Sequence, residues 1–179
     1  MNFETYRKET LRTLPDLGEV QNLCHMTMGI VTEVGEIINC CTSRLYTKID
    51  TVNLQEEFGD MYWYISNYCN LRDIPHPNDV KGDTAHSKVV DTLFVRSTDL
   101  LDFSKKLLAY GKPIPRSNEI EAIYDLFECL RTLEKLYHID KEETLQKNIN
   151  KLKARYPDKF NAEQAINRDL DKERGILEA

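Results

Sequence analysis

The sequence predicts an all-α protein, a helical bundle built on a four-helix core of two hairpins. Two observations favour this class. Apolar residues recur at spacings of three and four through most of the 179 residues. Only seven glycines and six prolines are present, and most of them lie between the periodic segments. Because the length is typical of one domain, we expect a single all-α domain over residues 1–179.

Six helices follow from this periodicity. Apolar stripes mark the second helix at Val20, Leu23, Thr27, Ile30, Val34, Ile37, Cys41 and Leu45, and the third at Leu54, Phe58, Met61, Ile65 and Cys69. The sixth starts with a capping-box pattern, Asp140 followed by Glu143. The tail from residue 161 is polar and is expected to form a short surface helix. The predicted ranges are 2–14, 17–46, 52–71, 86–110, 117–137 and 141–155.

The two predicted hairpins, 17–72 and 86–138, resemble each other weakly. Residues 35–39 align with residues 98–102, and two single-residue gaps extend the alignment. The aligned acidic positions pair Glu33 with Arg96, Glu57 with Ala122, and Asp60 with Asp125. Two interpretations stay open: the second hairpin is a degenerate copy of the first, or any two amphipathic hairpins would align this well.

Composition excludes several classes of function. A net charge of −6 argues against a nucleic acid polymer as partner, because phosphate backbones select basic surfaces. No apolar run approaches the roughly 20 residues that span a bilayer, and the first residues lack the pattern of a signal peptide. We therefore expect no membrane partner and a cytoplasmic location, in the host cytoplasm if the protein is viral. Five cysteines without a CxxC pair favour reduced thiols over zinc sites or disulfides.

Two pairs of acidic residues form the most informative pattern, Glu33-x-x-Glu36 and Glu57-x-x-Asp60. Residues three apart share one face of a helix, with Cβ atoms about 5–6 Å apart. A single such pair is uninformative in so acidic a chain, but both pairs interrupt strongly apolar segments. If the two helices pack antiparallel, four carboxylates converge. Glycines inside both motifs, Gly35 and Gly59, suggest the close approach of a neighbouring helix or ligand.

Converging carboxylates require cations. Two like charges about 4 Å apart repel by about 4 kcal/mol at an effective dielectric constant of about 20. Oxygen ligands select hard divalent ions, Mg²⁺ first and Mn²⁺ as a substitute. Because Mg²⁺ commonly shares its ligand shell with substrate phosphates, the pattern favours a nucleotide-phosphate site.

Basic residues on the sixth helix could contact such phosphates. Asn148, Lys151 and Arg155 recur at spacings of three and four and so share one face. Arg44 and Lys48 lie near the predicted end of the second helix and could add positive charge. The alternative from pattern alone is a solvated basic face.

Three segments together resemble a known family. They are HMTMGIVTEVGEIIN (25–39), NLQEEFGDMYWY (53–64) and NINKLKARYPDKF (148–160), the last continued by Asn167-Arg168-Asp169. They are similar to motifs of the MazG-like nucleoside triphosphate pyrophosphohydrolases, an all-α superfamily, and most similar to its small phage-type members. The resemblance covers about residues 20–72 and 141–174, whereas residues 75–140 carry no motif of the family.

The resemblance implies Mg²⁺-dependent hydrolysis of a nucleoside triphosphate, with a deoxynucleotide expected, to the monophosphate and pyrophosphate. It also implies a homodimer or homotetramer. We assign the catalytic base to Glu36, although four neighbouring carboxylates could exchange this role. The metal ligands implied are Glu33, Glu36, Glu57 and Asp60. The residues implied at the substrate phosphates are Asn148, Lys151, Arg155 and Tyr156, to which we add Lys48 from its charge. We call helix 141–156, which carries these residues except Lys48, the phosphate-binding helix.

Base recognition and the reaction class leave alternatives. His25, Asn39, Trp63 and Tyr64 are candidates for stacking on or hydrogen bonding to a base, although aromatic residues at helical spacing are more often part of a core. A dUTPase-like enzyme of the same superfamily and a non-catalytic nucleotide-binding or adaptor protein are the alternative functions. A di-iron bundle is disfavoured, because no Glu precedes any of the four histidines by three residues.

Overall fold

The computed structural model describes residues 1–42, 49–77 and 80–179, apart from the side chain of His86. Within these residues it contains eight α-helices, a single-turn 3₁₀ helix at Leu11–Thr13 and no strand, so the predicted all-α class is confirmed. The α-helices are α1 Phe3–Thr10, α2 Glu19–Thr42, α3 Thr51–Arg72, α4 His86–Tyr110, α5 Arg116–Tyr137, α6 Lys141–Arg155, α7 Ala162–Ile166 and α8 Leu170–Glu178.

Two helical hairpins form the centre of the bundle. Helix α2 packs against both α3 and α4, and α4 packs against α5. Helix α6 lies on α3, α1 contacts both α3 and α6, and α8 lies on α6. The predicted core of two hairpins is therefore present, and α3 is the helix of the first hairpin on which α6 packs.

The predicted stripes are the buried faces of the helices. In α3, all five stripe residues are at most 1% exposed, and in α2 the stripe from Leu23 to Ile37 is buried. These side chains join one hydrophobic core with residues from α1, α4, α5 and α6. Burial of an apolar stripe at about 25 cal/mol per Å² is the main contribution that holds each helix in place.

The opposite faces of the helices are polar. Thr32, Glu36 and Asn39 are exposed on α2, although its inner face is apolar. None of the described helices combines the length and the apolar character that crossing a bilayer requires.

Side chains that cap the backbone set where several helices begin. Asp50 accepts hydrogen bonds from the amides of Val52 and Asn53 at the start of α3. Asp140 accepts one from the amide of Glu143, which is half of the predicted capping box. The Glu143 carboxylate pairs with Lys147, one turn further along α6.

The two ends of the chain differ from the prediction. Helix α1 stops at Thr10 and gives way to the 3₁₀ turn, rather than continuing to Leu14. The tail forms two helices, and α8 is more than a surface helix because Glu173 and Leu177 are buried. The last residues of the predicted second helix, 43–46, lie outside the described part of the chain.

Only one of the two motif glycines lies against a neighbour. A Cβ at Gly59 would lie 2.9 Å from the Cβ of Asn148, so α3 and α6 approach closely there, as predicted. The expected neighbouring helix is absent at Gly35, because no described residue lies within 4 Å of a Cβ at that position. Close packing also occurs at Gly29, where it was not predicted: a Cβ there would overlap the ring of Tyr64.

These contacts predict opposite effects of alanine at two glycines of α2. Gly29→Ala should lower the free energy of unfolding by about 1–3 kcal/mol, because the Tyr64 ring must move. Gly35→Ala should raise it by up to about 1 kcal/mol, because alanine favours a helix and meets no neighbour. Urea unfolding of the metal-free variants measures both, and a stability loss at Gly35 equal to that at Gly29 would contradict this packing.

Candidate functional site

Helices α2 and α3 bring three carboxylates together. Glu33 and Glu36 come from one face of α2, and Glu57 comes from the facing turn of α3. One oxygen from each lies within 4.8 Å of the other two. Glu33 and Glu57 are both 8% exposed, whereas Glu36 is exposed. We call these three residues the carboxylate trio.

Burial and mutual repulsion make the trio hold protons. Burial is the largest cause that raises the pKa of Glu33 to about 9, and repulsion from Asp60 and from the rest of the trio adds to it. Burial, then a hydrogen bond with Glu36 and repulsion from it, raises the pKa of Glu57 to about 8. At neutral pH and without a metal, Glu33 and Glu57 are therefore mostly protonated, and a bound cation would displace these protons.

Asp60, the fourth predicted ligand, lies beside the trio and is already paired. Lys151 donates to both of its oxygens, at 2.8 and 2.6 Å, and the amide nitrogen of Asn148 donates to one of them at 2.7 Å. Its oxygens do not belong to the group that meets within 4.8 Å. Three of the four predicted ligands therefore form one group, and the fourth, Asp60, is hydrogen-bonded to Lys151 and Asn148.

Lys151 and Asn148 were predicted to contact substrate phosphates, and the structure places them elsewhere. Lys151 is fully buried and also bonds Glu56 at 3.0 Å. Burial alone would lower the pKa of Lys151, but the Asp60 and Glu56 carboxylates raise it. Asn148 is 2% exposed and accepts a hydrogen bond from Tyr6 at 2.8 Å. Both residues lie on the face of α6 that packs on α3. They therefore hydrogen-bond Asp60 rather than line the cavity.

A cavity of about 620 Å³ lies over the trio, within the range of about 300–1,000 Å³ that is typical of small-molecule sites. The trio, Asp60 and Glu56 form its acidic part. On another wall lie Arg155 and Tyr156, two of the predicted phosphate-binding residues, together with Arg168. The cavity therefore presents carboxylates and guanidinium groups to the same space.

The two arginines share one buried carboxylate. Glu173 of α8 accepts two hydrogen bonds from Arg155, at 2.8 and 2.6 Å, and two from Arg168, at 3.1 and 2.6 Å. Burial would raise the pKa of Glu173, but the two arginines outweigh it and lower the pKa to about 2. The carboxylate is therefore ionised at any pH at which the protein would function.

Aromatic residues form a further wall. His25, Trp63 and Tyr64, three of the four predicted base-recognition residues, line the cavity. The Trp63 indole donates to Thr13 at 2.8 Å, and the His25 and Tyr64 rings meet edge to face at 5.7 Å. Burial lowers the pKa of His25, so its imidazole is neutral at neutral pH. Asn39, the fourth candidate, is exposed and is not part of the cavity wall.

For several other residues, the predicted role and the observed position do not correspond. Lys48 and Arg44, proposed for positive charge, lie outside the described residues. Asn53 and Phe160 line the cavity but were not assigned a role. Asn53 lies one turn before Glu57, so helical spacing could have indicated it. No local spacing connects Glu173 with Arg155.

The second hairpin carries its own cation at the aligned position. Arg96, aligned with Glu33, bonds Asp125 at 2.7 Å, and Asp125 is aligned with Asp60. Its guanidinium also bonds Glu121 at 2.7 Å and lies 3.4 Å from Asp99. Three acidic side chains of this hairpin therefore share one cation that the chain itself supplies.

Comparison with known proteins finds a similarity to part of one phage protein. The chain is 34% identical over 65 residues to the Gene 37 protein of Mycobacterium phage L5, which covers 33% of this chain and 57% of that protein. No protein-family model matches the chain. No solved structure matches it either.

The raised pKa values predict how pH changes stability. Because the folded pKa of Glu33 lies above its ordinary value of 4.5, folding favours the protonated form, and stability is lost as pH rises towards 9. Glu33→Gln mimics the protonated form. In EDTA we expect its melting temperature to exceed that of the wild type by several degrees at pH 8.5 and to match it at pH 5, since 1 kcal/mol corresponds to about 2–4 °C.

Glu121→Gln, an exposed position of the second hairpin, is the control and should shift the melting temperature equally at both pH values. Added Mg²⁺ should stabilise the wild type more than Glu33→Gln. A Glu33→Gln difference that does not change with pH would contradict the proposed repulsion.

Proposed function

We propose that this protein is a Mg²⁺-dependent nucleoside triphosphate pyrophosphohydrolase that acts on a deoxynucleoside triphosphate. The observation that carries the proposal is the trio within 4.8 Å at one wall of a cavity whose other walls hold Arg155 and Arg168. A metal site beside guanidinium groups suits a triphosphate. The resemblance of the three sequence segments to the MazG-like family supports the same reaction.

The trio fits a hard divalent cation. All of its donors are carboxylate oxygens, which suit Mg²⁺ and Mn²⁺ better than softer metals. Glu33, Glu36 and Glu57 would hold the ion, with Asp60 next to them. When bound, Mg²⁺ neutralises phosphate charge and lowers the pKa of a coordinated water.

The protein's own residues have distinct roles in the proposed reaction. The oxygen of a water molecule bonds to a phosphorus, and the bond between the α- and β-phosphates breaks, which gives the monophosphate and pyrophosphate. Glu36 is the proposed base that takes the water proton, because it is the exposed member of the trio and faces the cavity. Arg155 and Arg168 offer planar donor groups to phosphate oxygens. His25 and Trp63 would contact the base.

The surroundings of the enzyme follow from the same proposal. Partial similarity to a phage protein supports action in the cytoplasm of a host cell. We propose a homodimer or homotetramer from the family resemblance. The negative net charge supports a small phosphorylated substrate rather than a nucleic acid polymer.

Pyrophosphate release tests the proposal directly. We expect at least one of the eight common nucleoside and deoxynucleoside triphosphates to be hydrolysed in the presence of Mg²⁺. Glu36→Gln should lower kcat by at least about 100-fold, the usual contribution of a general base. The matched control is Asp99→Asn, the aligned position in the second hairpin, which should retain wild-type kcat.

Two outcomes would contradict parts of this proposal. If none of the eight nucleotides is hydrolysed, the chain is better explained as a non-catalytic nucleotide-binding or adaptor protein. If Glu36→Gln retains full activity, the reaction class stands, but the base must be another carboxylate.

A further inference from the structure

We propose that Glu173 is a positioning residue that holds Arg155 and Arg168 as a pair for the outer phosphates of the substrate. Helix α8 would then be part of the binding site rather than a surface tail. The inference rests on the proposed function for the identity of the substrate. It assigns a role in that site to two residues outside the proposed metal centre, Glu173 and Arg168.

Glu173 occupies one edge of each guanidinium group, and the Tyr156 side chain is a further hydrogen-bond partner of Arg155. Both arginines use the edge formed by Nε and Nη2 to bond Glu173. The Nη1 amino group of neither arginine takes part in these bonds. Since both residues line the cavity, a ligand there can reach donors whose planes Glu173 already fixes. Such preorganisation lowers the entropy that phosphate binding would otherwise cost.

The charges also favour an anion. One carboxylate between two guanidinium groups leaves a net charge of +1 on this wall. Arg168 lies 3.8 Å from Glu56, which Lys151 already pairs with at 3.0 Å. Lys151 also pairs with Asp60, so Glu56 offsets part of this positive charge, and the remainder lies on the arginine pair. A chain of phosphates could contact a cation at the trio with one end and the arginine pair with the other.

The need to attach α8 to the rest of the protein does not by itself explain why Glu173 is buried between two arginines. Lys147 donates to the carbonyl of Leu177 at 2.8 Å, and the Leu177 side chain is buried. Arg174 pairs with Asp50 at 3.1 Å. These contacts already tie α8 to α6 and to the start of α3. A carboxylate that is 4% exposed costs desolvation energy, so its position between two cavity arginines indicates a role for them.

The paired arginines predict selectivity for the number of phosphates. A triphosphate offers enough oxygens to contact both a cation at the trio and the arginine pair, whereas we expect a monophosphate to depend less on the pair. Loss of Glu173 should therefore weaken triphosphate binding more than monophosphate binding, and it should raise KM more than it lowers kcat.

Calorimetric titration with inorganic tripolyphosphate and orthophosphate, both at constant Mg²⁺, tests this without the need for hydrolysis. We expect Glu173→Gln to weaken tripolyphosphate binding by about tenfold or more, as for the loss of one charged hydrogen bond, and orthophosphate binding by less than about threefold. The control is Arg174→Gln, which removes an α8 contact outside the cavity and should leave both affinities within about twofold.

Arg168→Gln is the second variant. It should reproduce the tripolyphosphate defect, and combining it with Glu173→Gln should add little, because both act through one pair. Should Glu173→Gln fail to fold, Arg168→Gln alone decides the matter by the same titration. On a hydrolysed nucleotide, the expected result for either variant is a KM about tenfold higher with kcat within about threefold.

The outcomes separate this inference from the proposed function. Tripolyphosphate binding that depends on Glu173, in a protein that hydrolyses no nucleotide, would support the pair and reject the enzyme. Hydrolysis with an unchanged KM in both variants would reject the pair and keep the enzyme. A wild type that binds no tripolyphosphate, or a Glu173→Gln defect that Arg174→Gln shares equally, would overturn the inference.

Discussion

Repulsion among buried carboxylates is the constraint on which the rest of the structure depends. Glu33 and Glu57 are nearly buried and share a space of 4.8 Å with Glu36, an arrangement that the isolated helices would avoid. The apolar stripes of α2 and α3 hold the two helices together in spite of this repulsion. Protons on the trio offset part of the cost in the metal-free protein, and a divalent cation would offset more of it. Local instability thus accompanies the capacity to bind a ligand.

The two hairpins differ in the cations that surround their aligned acidic residues. In the second hairpin, Arg96 lies among three carboxylates, so its charge is balanced by the chain itself. In the first hairpin, Lys151 from α6 pairs with both Asp60 and Glu56 but bonds no member of the trio. Among the described residues, no side-chain cation bonds the trio, so an external cation could bind there. This contrast, rather than the number of acidic residues, distinguishes the candidate site from an ordinary acidic surface.

Sequence alone predicted the features that follow from helical periodicity. Spacings of three and four residues were enough to predict the helices and the buried stripe of α3. The same spacings predicted that Glu33, Glu36 and Glu57 converge. Contacts between elements distant in sequence were not predictable in this way. Spacing placed Lys151 on one face with Arg155, but it could not tell that this face meets Asp60. The open space at Gly35 and the partners of Glu173 depend on packing that no local pattern records.

An acidic protein that binds a polyphosphate must overcome repulsion at long range. With a net charge of −6, the chain attracts anions only where cations are concentrated. Arg155 and Arg168 would remain free to turn towards the nearby carboxylates if nothing held them, and Glu56 lies only 3.8 Å from Arg168. Glu173 opposes such movement, because it accepts hydrogen bonds from one edge of each guanidinium group. In the proposed site, it would keep a group of cations and a group of carboxylates in one cavity.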